Sequence, residues 1–176
     1  LTNKLFMIKF HMNHLNYICH YPQSLQESVL KLIENKTLSS YIKNKYPHKH
    51  TISNDKLLYE YVMEFKNNYF KKFQINKIIY DSKIQVNNAL GMHTFISRVQ
   101  GGNLKAKNEI KIATLFKQVP EKFLEMIVVH ELAHLKEKEH NKAFYNLCTF
   151  IQNDYMQVEF DLRLYLIHLQ LFGKMY

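Results

Sequence analysis

The chain has 176 residues and a net charge of +9, with 24 Lys and Arg against 15 Asp and Glu. Hydrophobic residues make up 47% and charged residues 22%, which is typical of globular domains and excludes a disordered chain. Two cysteines exclude a disulfide framework, no stretch has the length of a transmembrane helix, and no secretory signal is recognised, so we expect a cytoplasmic protein without a membrane partner. The positive charge fits either an anionic partner or a basic solvated surface.

Three helices are predicted in the first seventy residues. The first follows a capping box that starts at Ser24, and its apolar residues recur at helical spacing. A second, short helix covers about residues 38–46 and ends before a proline. Asn54 or Asp55 is expected to cap the third helix.

The middle of the chain is rich in β-branched residues and predicts three strands, over residues 77–86, 94–99 and 108–116. The glycine pair at 101–102 indicates a turn between the second and third strands. We therefore expect these two strands to pair antiparallel.

Helices return in the last third of the chain. Pro120 and the acidic residue after it predict a helix start, because proline and a negative charge both favour the first turn. Asn141 is a predicted N-cap for the next helix, and a last helix, about residues 155–172, should stop at Gly173.

The order of these elements predicts an α+β fold in one domain over residues 12–176, after a tag or disordered lead over residues 1–11. N-terminal helices precede a small antiparallel-containing β-sheet, which is followed by a helix with an HExxH motif and by C-terminal helices. Asp161 and Arg163 are expected to fix the last helix rather than to take part in chemistry.

The HExxH motif lies in VVHELAHLKEKEH, residues 128–140. On a helix, His130 and His134 lie one turn apart on the same face, so both can direct an imidazole nitrogen at one ion. Two neutral imidazoles suit Zn²⁺. Glu131 follows the first ligand and is the predicted base, which takes a proton from water activated by the metal.

A catalytic zinc site needs a third protein ligand, for which His140 is the candidate, with Glu137, Glu139 or a distant carboxylate as alternatives. Six residues after His134, an unbroken helix would have turned by about 600° and would hold His140 on the wrong face. The helix is therefore predicted to end between Lys136 and Glu139. The turn contains no glycine, which speaks against the metzincin branch of zinc enzymes.

Basic residues in the strand region, before the HExxH helix, are candidates for binding an anionic substrate. They are Arg98, Lys105 and Lys107. For each of them a solubilising position on the strand surface is the alternative.

The stretch VVHELAHLKEKEHNKAFY resembles the active-site segment of the YgjP-like metal-dependent hydrolases, which are relatives of the SprT/WLM zincins. The likeness covers most of the chain from about Met12. It implies a zincin-like fold, zinc ligands at His130, His134 and His140, and a general base at Glu131. Residues 97–102 keep an arginine and a glycine of the family's pattern but lack its tryptophan and cysteine.

The resemblance implies a zinc-dependent, metallopeptidase-like hydrolase that acts on a peptide or a nucleotide. One alternative is a UTP or nucleoside triphosphate pyrophosphatase, which gives UMP and pyrophosphate and can recruit Mg²⁺ or Mn²⁺ besides Zn²⁺. A second alternative is a nucleic-acid-associated SprT-like protease or binding module. A peptide substrate is expected to add as a strand at the sheet edge near residues 108–116.

Overall fold

The computed structural model describes residues 15–84, 91–100 and 103–176, and describes the strand residues 91–100 and 103–107 by their backbone. The expected lead over residues 1–11 and the glycine turn at 101–102 lie outside the described residues.

The described residues form an α+β fold, in which helices come before and after the strands along the chain. We label its elements as follows: α1 Gln23–Glu34, α2 Leu38–Lys45, α3 Asp55–Tyr69, β1 Lys77–Asp81, β2 Gly91–Gln100, β3 Asn103–Ala113, α4 Glu121–Ala133, α5 Lys142–Ile151 and α6 Tyr155–Phe172. Two 3₁₀ turns, Leu15–Ile18 and Thr114–Gln118, complete the described elements.

The three strands form one mixed sheet in the order β1-β3-β2. β1 pairs with β3 in parallel, with Ile78 opposite Ile110, and β2 pairs with β3 antiparallel, with His93 opposite Ile110. The sheet therefore contains the expected antiparallel pair, β2 with β3, and it also contains a parallel pair, β1 with β3, that the sequence did not predict. A parallel pair needs a long crossover connection, and nothing in the composition of β1 indicated one.

Several helices and strands begin or end a few residues away from the predicted positions. α1 begins after Pro22, whose carbonyl accepts from the amides of Leu25 and Gln26, so the capping box predicted at Ser24 is wrong. Asn54 does cap α3, since its side chain accepts from the amide of Leu57. β3 ends at residue 113, and the 3₁₀ turn after it replaces the predicted strand over residues 114–116.

The chain divides into two compact units. One contains the described residues up to His48 together with Met156–Tyr176, and the other contains the described residues between Lys49 and Tyr155. In the second unit α4 is buried almost all round, with nine of its thirteen residues inside. A helix buried on most sides belongs to a core, so the first four residues of the HExxH motif lie on a buried helix. Among the described helices, we find no candidate for a membrane-spanning segment.

The first unit contains a buried carboxylate. Asp161 of α6 has no exposed surface and accepts from Lys45 and Tyr46 at 2.8 Å each. Tyr41 and Gln157 donate to its other oxygen at 3.3 and 3.1 Å. Arg163 donates to the carbonyl of Tyr17 and forms an ion pair with Glu159. Both residues therefore hold α6 in its unit, as the sequence predicted.

Candidate metal centre

α4 ends earlier than the sequence predicted. Its last residue is Ala133, and His134 is the C-cap, with φ −63° and ψ −14°. The amides of Lys136 and Glu137 both donate to the carbonyl of Ala133, which closes the turn that leads away from the helix. In the described parts of the chain, Lys36 is the one non-glycine residue with a positive φ. Residues 134–140 therefore all have negative φ values. The turn therefore needs no glycine.

The turn brings His140 back against the two histidines of the motif. Its ring centroid lies 4.9 Å from those of His130 and His134, whose own centroids are 5.0 Å apart. The Nε2 atoms of His130 and His140 are 3.1 Å apart. Each of the three residues offers a nitrogen atom, and these atoms all lie within 4.8 Å of one another.

The apolar ring of Phe144 packs against all three histidines of this cluster. Its centroid lies 5.0, 4.8 and 4.7 Å from those of His130, His134 and His140, and the side chain has no exposed surface. Asn141 sets the start of α5, since its side chain accepts from the amide of Phe144. The predicted N-cap thus also positions the ring on which the imidazoles pack.

Hydrogen bonds at the opposite ring nitrogens orient the two histidines of the motif. Nδ1 of His134 lies 3.0 Å from the carbonyl oxygen of Glu137. A carbonyl only accepts, so Nδ1 carries the proton and Nε2 keeps its lone pair. Burial lowers the pKa of His134, which favours the neutral imidazole that a metal requires. Nδ1 of His130 lies 2.8 Å from the hydroxyl of Tyr155.

Glu131 is buried beside the cluster's first histidine, with 3% of its surface exposed. Burial raises its pKa to about 8, because the charged form is poorly solvated there. A buried carboxyl group with such a pKa is suited to exchange a proton near neutral pH.

The donor set fits a divalent metal such as zinc. Two nitrogen ligands of a tetrahedral zinc ion, each bonded at about 2.0 Å, lie about 3.3 Å apart. The 3.1 Å between the Nε2 atoms of His130 and His140 is close to that value. Three imidazoles without cysteine are a ligand set typical of catalytic zinc, which keeps a fourth position open. Glu137 and Glu139, the alternative ligands, are not members of the cluster formed by the described residues.

The predicted substrate-binding residues lie on β2 and β3. Arg98 pairs with Lys105 across the two strands, and Lys107 pairs with Ile96. Their side chains lie outside the described residues, so their roles stay predictions. Tyr155 contacts His130 but could not be predicted, because it follows the second motif histidine by twenty-one residues and carries no local signal of this contact.

Comparison with known proteins gives two matches. Residues 30–165 match the model of the family described as "YgjP-like, metallopeptidase domain". The chain is also similar to the UTP pyrophosphatase of Escherichia coli (strain K12), with 52% identity over 162 residues, which are 91% of this chain and 97% of that protein. No solved structure shows a significant match to the chain.

Proposed function

The chain belongs to the YgjP-like family of metallopeptidase domains, a family of metal-dependent hydrolases, and from this we propose that it is a zinc hydrolase that cleaves UTP to UMP and pyrophosphate. The proposal of UTP as the substrate rests on the 52% identity to a UTP pyrophosphatase, which covers 97% of that protein. The three clustered histidines support the metal. A sheet followed by a buried HExxH helix also supports the zincin-like class that we propose for the fold.

In this proposal the chain's own groups have separate tasks. His130, His134 and His140 hold the metal, which when bound supplies Lewis-acid stabilisation of negative charge and lowers the pKa of water. Glu131 accepts the proton of the attacking water as a carboxylate and can return it to the leaving group. A nearby cation favours the charged form of a carboxyl group and so lowers its pKa. A bound metal would therefore oppose the rise in the pKa of Glu131 that burial causes. Arg98, Lys105 and Lys107 are proposed to bind the phosphates, and Mg²⁺ or Mn²⁺ can accompany the nucleotide.

A peptidase is the second candidate, and the family's description favours it. The same base and metal can direct water at an amide carbonyl. The sheet edge predicted near residues 108–116 is not available for a peptide, because β3 is the middle strand in the order β1-β3-β2. A peptide added as a strand would have to pair with an outer strand such as β2.

The test is to compare wild type with Glu131→Gln, both loaded with zinc. Release of UMP and pyrophosphate from UTP would be measured by chromatography, beside other nucleoside triphosphates and a casein-type peptide pool. We expect the variant to keep its metal and to lose about 10²- to 10⁴-fold in turnover, which is the usual contribution of a general base. Exposed Glu34→Gln serves as the matched control and should keep full activity.

Each other outcome removes a part of the proposal. Full activity of Glu131→Gln on every substrate that wild type cleaves would refute the mechanism. Cleavage of peptides without cleavage of UTP would replace the pyrophosphatase with the peptidase. Salt-dependent nucleic-acid binding by wild type, without hydrolysis of either substrate, would favour a binding module.

A further inference from the structure

We propose that Tyr155 is a positioning residue, whose hydroxyl group keeps the proton of His130 on Nδ1 and so directs Nε2 of that ring at the metal. This inference rests on the proposed metal site. It assigns a task in that site to a residue on a different helix, far from the HExxH motif in the sequence.

The contact is short and its partner is fixed. The hydroxyl of Tyr155 lies 2.8 Å from Nδ1 of His130, and the tyrosine has no exposed surface. Tyr155 is the first residue of α6, and its amide donates to the carbonyl of Gln152 at 3.0 Å. A ring that is fully enclosed and anchored by its backbone cannot follow His130 if the imidazole rotates.

The chemistry of imidazole makes this contact decisive. A neutral ring has one proton, and the nitrogen that carries it cannot bind a metal. Nε2 of His130 lies 3.1 Å from Nε2 of His140, whereas Nδ1 lies against Tyr155. Convergence of both Nε2 atoms on one ion therefore requires the proton on Nδ1, where the tyrosine oxygen accepts it.

The two motif histidines are thus held by different kinds of partner. His134 has a backbone carbonyl at Nδ1, that of Glu137, which no side-chain substitution removes. His130 has a side-chain hydroxyl, which Tyr155→Phe removes while the buried ring stays. The contribution of such a partner to metal binding can be measured on His130 directly.

The matched control is Tyr80→Phe. Tyr80 is also buried, and its hydroxyl donates to the carbonyl of Ile52 at 2.7 Å, so each variant loses a buried hydroxyl group that takes part in a hydrogen bond. Zinc affinity would be measured by competition with a chromophoric chelator, and thermal unfolding of the metal-free proteins would be measured in parallel. We expect Tyr155→Phe to lower zinc affinity about 10- to 100-fold. Tyr80→Phe should leave the zinc affinity unchanged. It should lower the melting temperature of the metal-free protein about as much as Tyr155→Phe does.

A second measurement does not depend on the variant. Long-range ¹H–¹⁵N spectra of metal-free wild type report which nitrogen of His130 is protonated, and we expect Nδ1. Protonation of Nε2 instead would overturn the proposal even if Tyr155→Phe does not fold. In folded Tyr155→Phe loaded with Co²⁺, a visible spectrum that differs from wild type would support the altered ligand orientation, and an identical spectrum with equal zinc affinity would refute it.

Failure of the proposed function has a different signature. If wild type binds no zinc, or if His140→Ala binds zinc as tightly as wild type, the metal site itself is wrong. If wild type binds zinc tightly and His140→Ala does not, while Tyr155→Phe equals wild type, then only the role of Tyr155 is wrong.

Discussion

Two polar clusters in this protein are built in opposite ways. In the first unit, the carboxylate of Asp161 is surrounded by four donors of the chain itself, from Tyr41, Lys45, Tyr46 and Gln157. In the second unit, His130, His134 and His140 turn nitrogen atoms toward one another, within 4.8 Å. The first cluster pairs charge and hydrogen bonds internally, whereas the second assembles three atoms that are all ligands of the same kind.

The contrast separates a polar cluster that the chain itself satisfies from one whose atoms could hold a metal ion. Burying a charge is costly unless the protein supplies partners, and Asp161 has them. Bringing three imidazoles together has no comparable benefit in hydrogen bonding, because neutral rings offer one proton each. A bound cation gives such an arrangement its stability.

The largest expected effect is loss of the third ligand. His140→Ala should lower zinc affinity by more than about 100-fold, beyond the effect of removing a partner that only orients a ligand. Because His140 is exposed, the stability of the metal-free protein should change little. Chelator competition checks the affinity, with exposed His48→Ala as the control. An unchanged affinity would mean that the two clusters do not differ as described.

The second-largest effect is expected when the buried charge of Asp161 in the first unit is removed. Asp161→Asn keeps the shape of the side chain but turns an amide donor toward groups that themselves donate. We expect the free energy of unfolding of the metal-free protein to fall by about 2–3 kcal/mol, measured by chemical denaturation. Zinc affinity should stay at the wild-type value. A large loss of zinc affinity would contradict a purely structural role for Asp161.

Features that depend on local spacing could be predicted from the sequence. HExxH places His130 and His134 on one helical face, and Asn141 has the side chain of an N-cap, so both could be predicted from neighbouring residues. The end of α4 was placed too late, because the turn starts at His134 itself and uses ordinary φ values that no glycine marks. The hydroxyl of Tyr155 meets His130 only after the chain has folded, so no local pattern indicates it.

The parallel pairing of β1 with β3 was missed for a related reason. Antiparallel neighbours joined by a short turn leave a signal in the sequence, as the glycine pair between β2 and β3 does. A parallel pair is set by the path of the chain between its strands, which here passes through β2. The alternation of apolar residues in β1 is the same for either direction.

The smallest expected effect concerns His50, a histidine of the second unit that is hydrogen-bonded within the chain. Its Nδ1 accepts from the amide of Ile52 at 2.9 Å, and its Nε2 therefore donates to the carbonyl of Phe116 at 2.7 Å. Burial is the main cause that lowers the pKa of His50, and the hydrogen bond to the carbonyl of Phe116 and the nearby Glu121 partly oppose it. The folded protein thus holds this ring neutral below the pH at which the unfolded chain, with an ordinary pKa of about 6.5, takes up a proton.

It follows that the stability contributed by His50 is fully present above about pH 6.5 and is lost as the pH falls below that value, since the unfolded state then binds more protons. The loss cannot exceed about 1.4 kcal/mol per pH unit for one group. We expect His50→Gln to flatten the fall in unfolding free energy between about pH 6.5 and 5, compared with wild type and with exposed His48→Gln. Both ring nitrogens of His50 already have backbone partners, so zinc affinity at pH 7.5 should be the same in all three proteins. A lower zinc affinity of His50→Gln would place this histidine with the metal cluster instead.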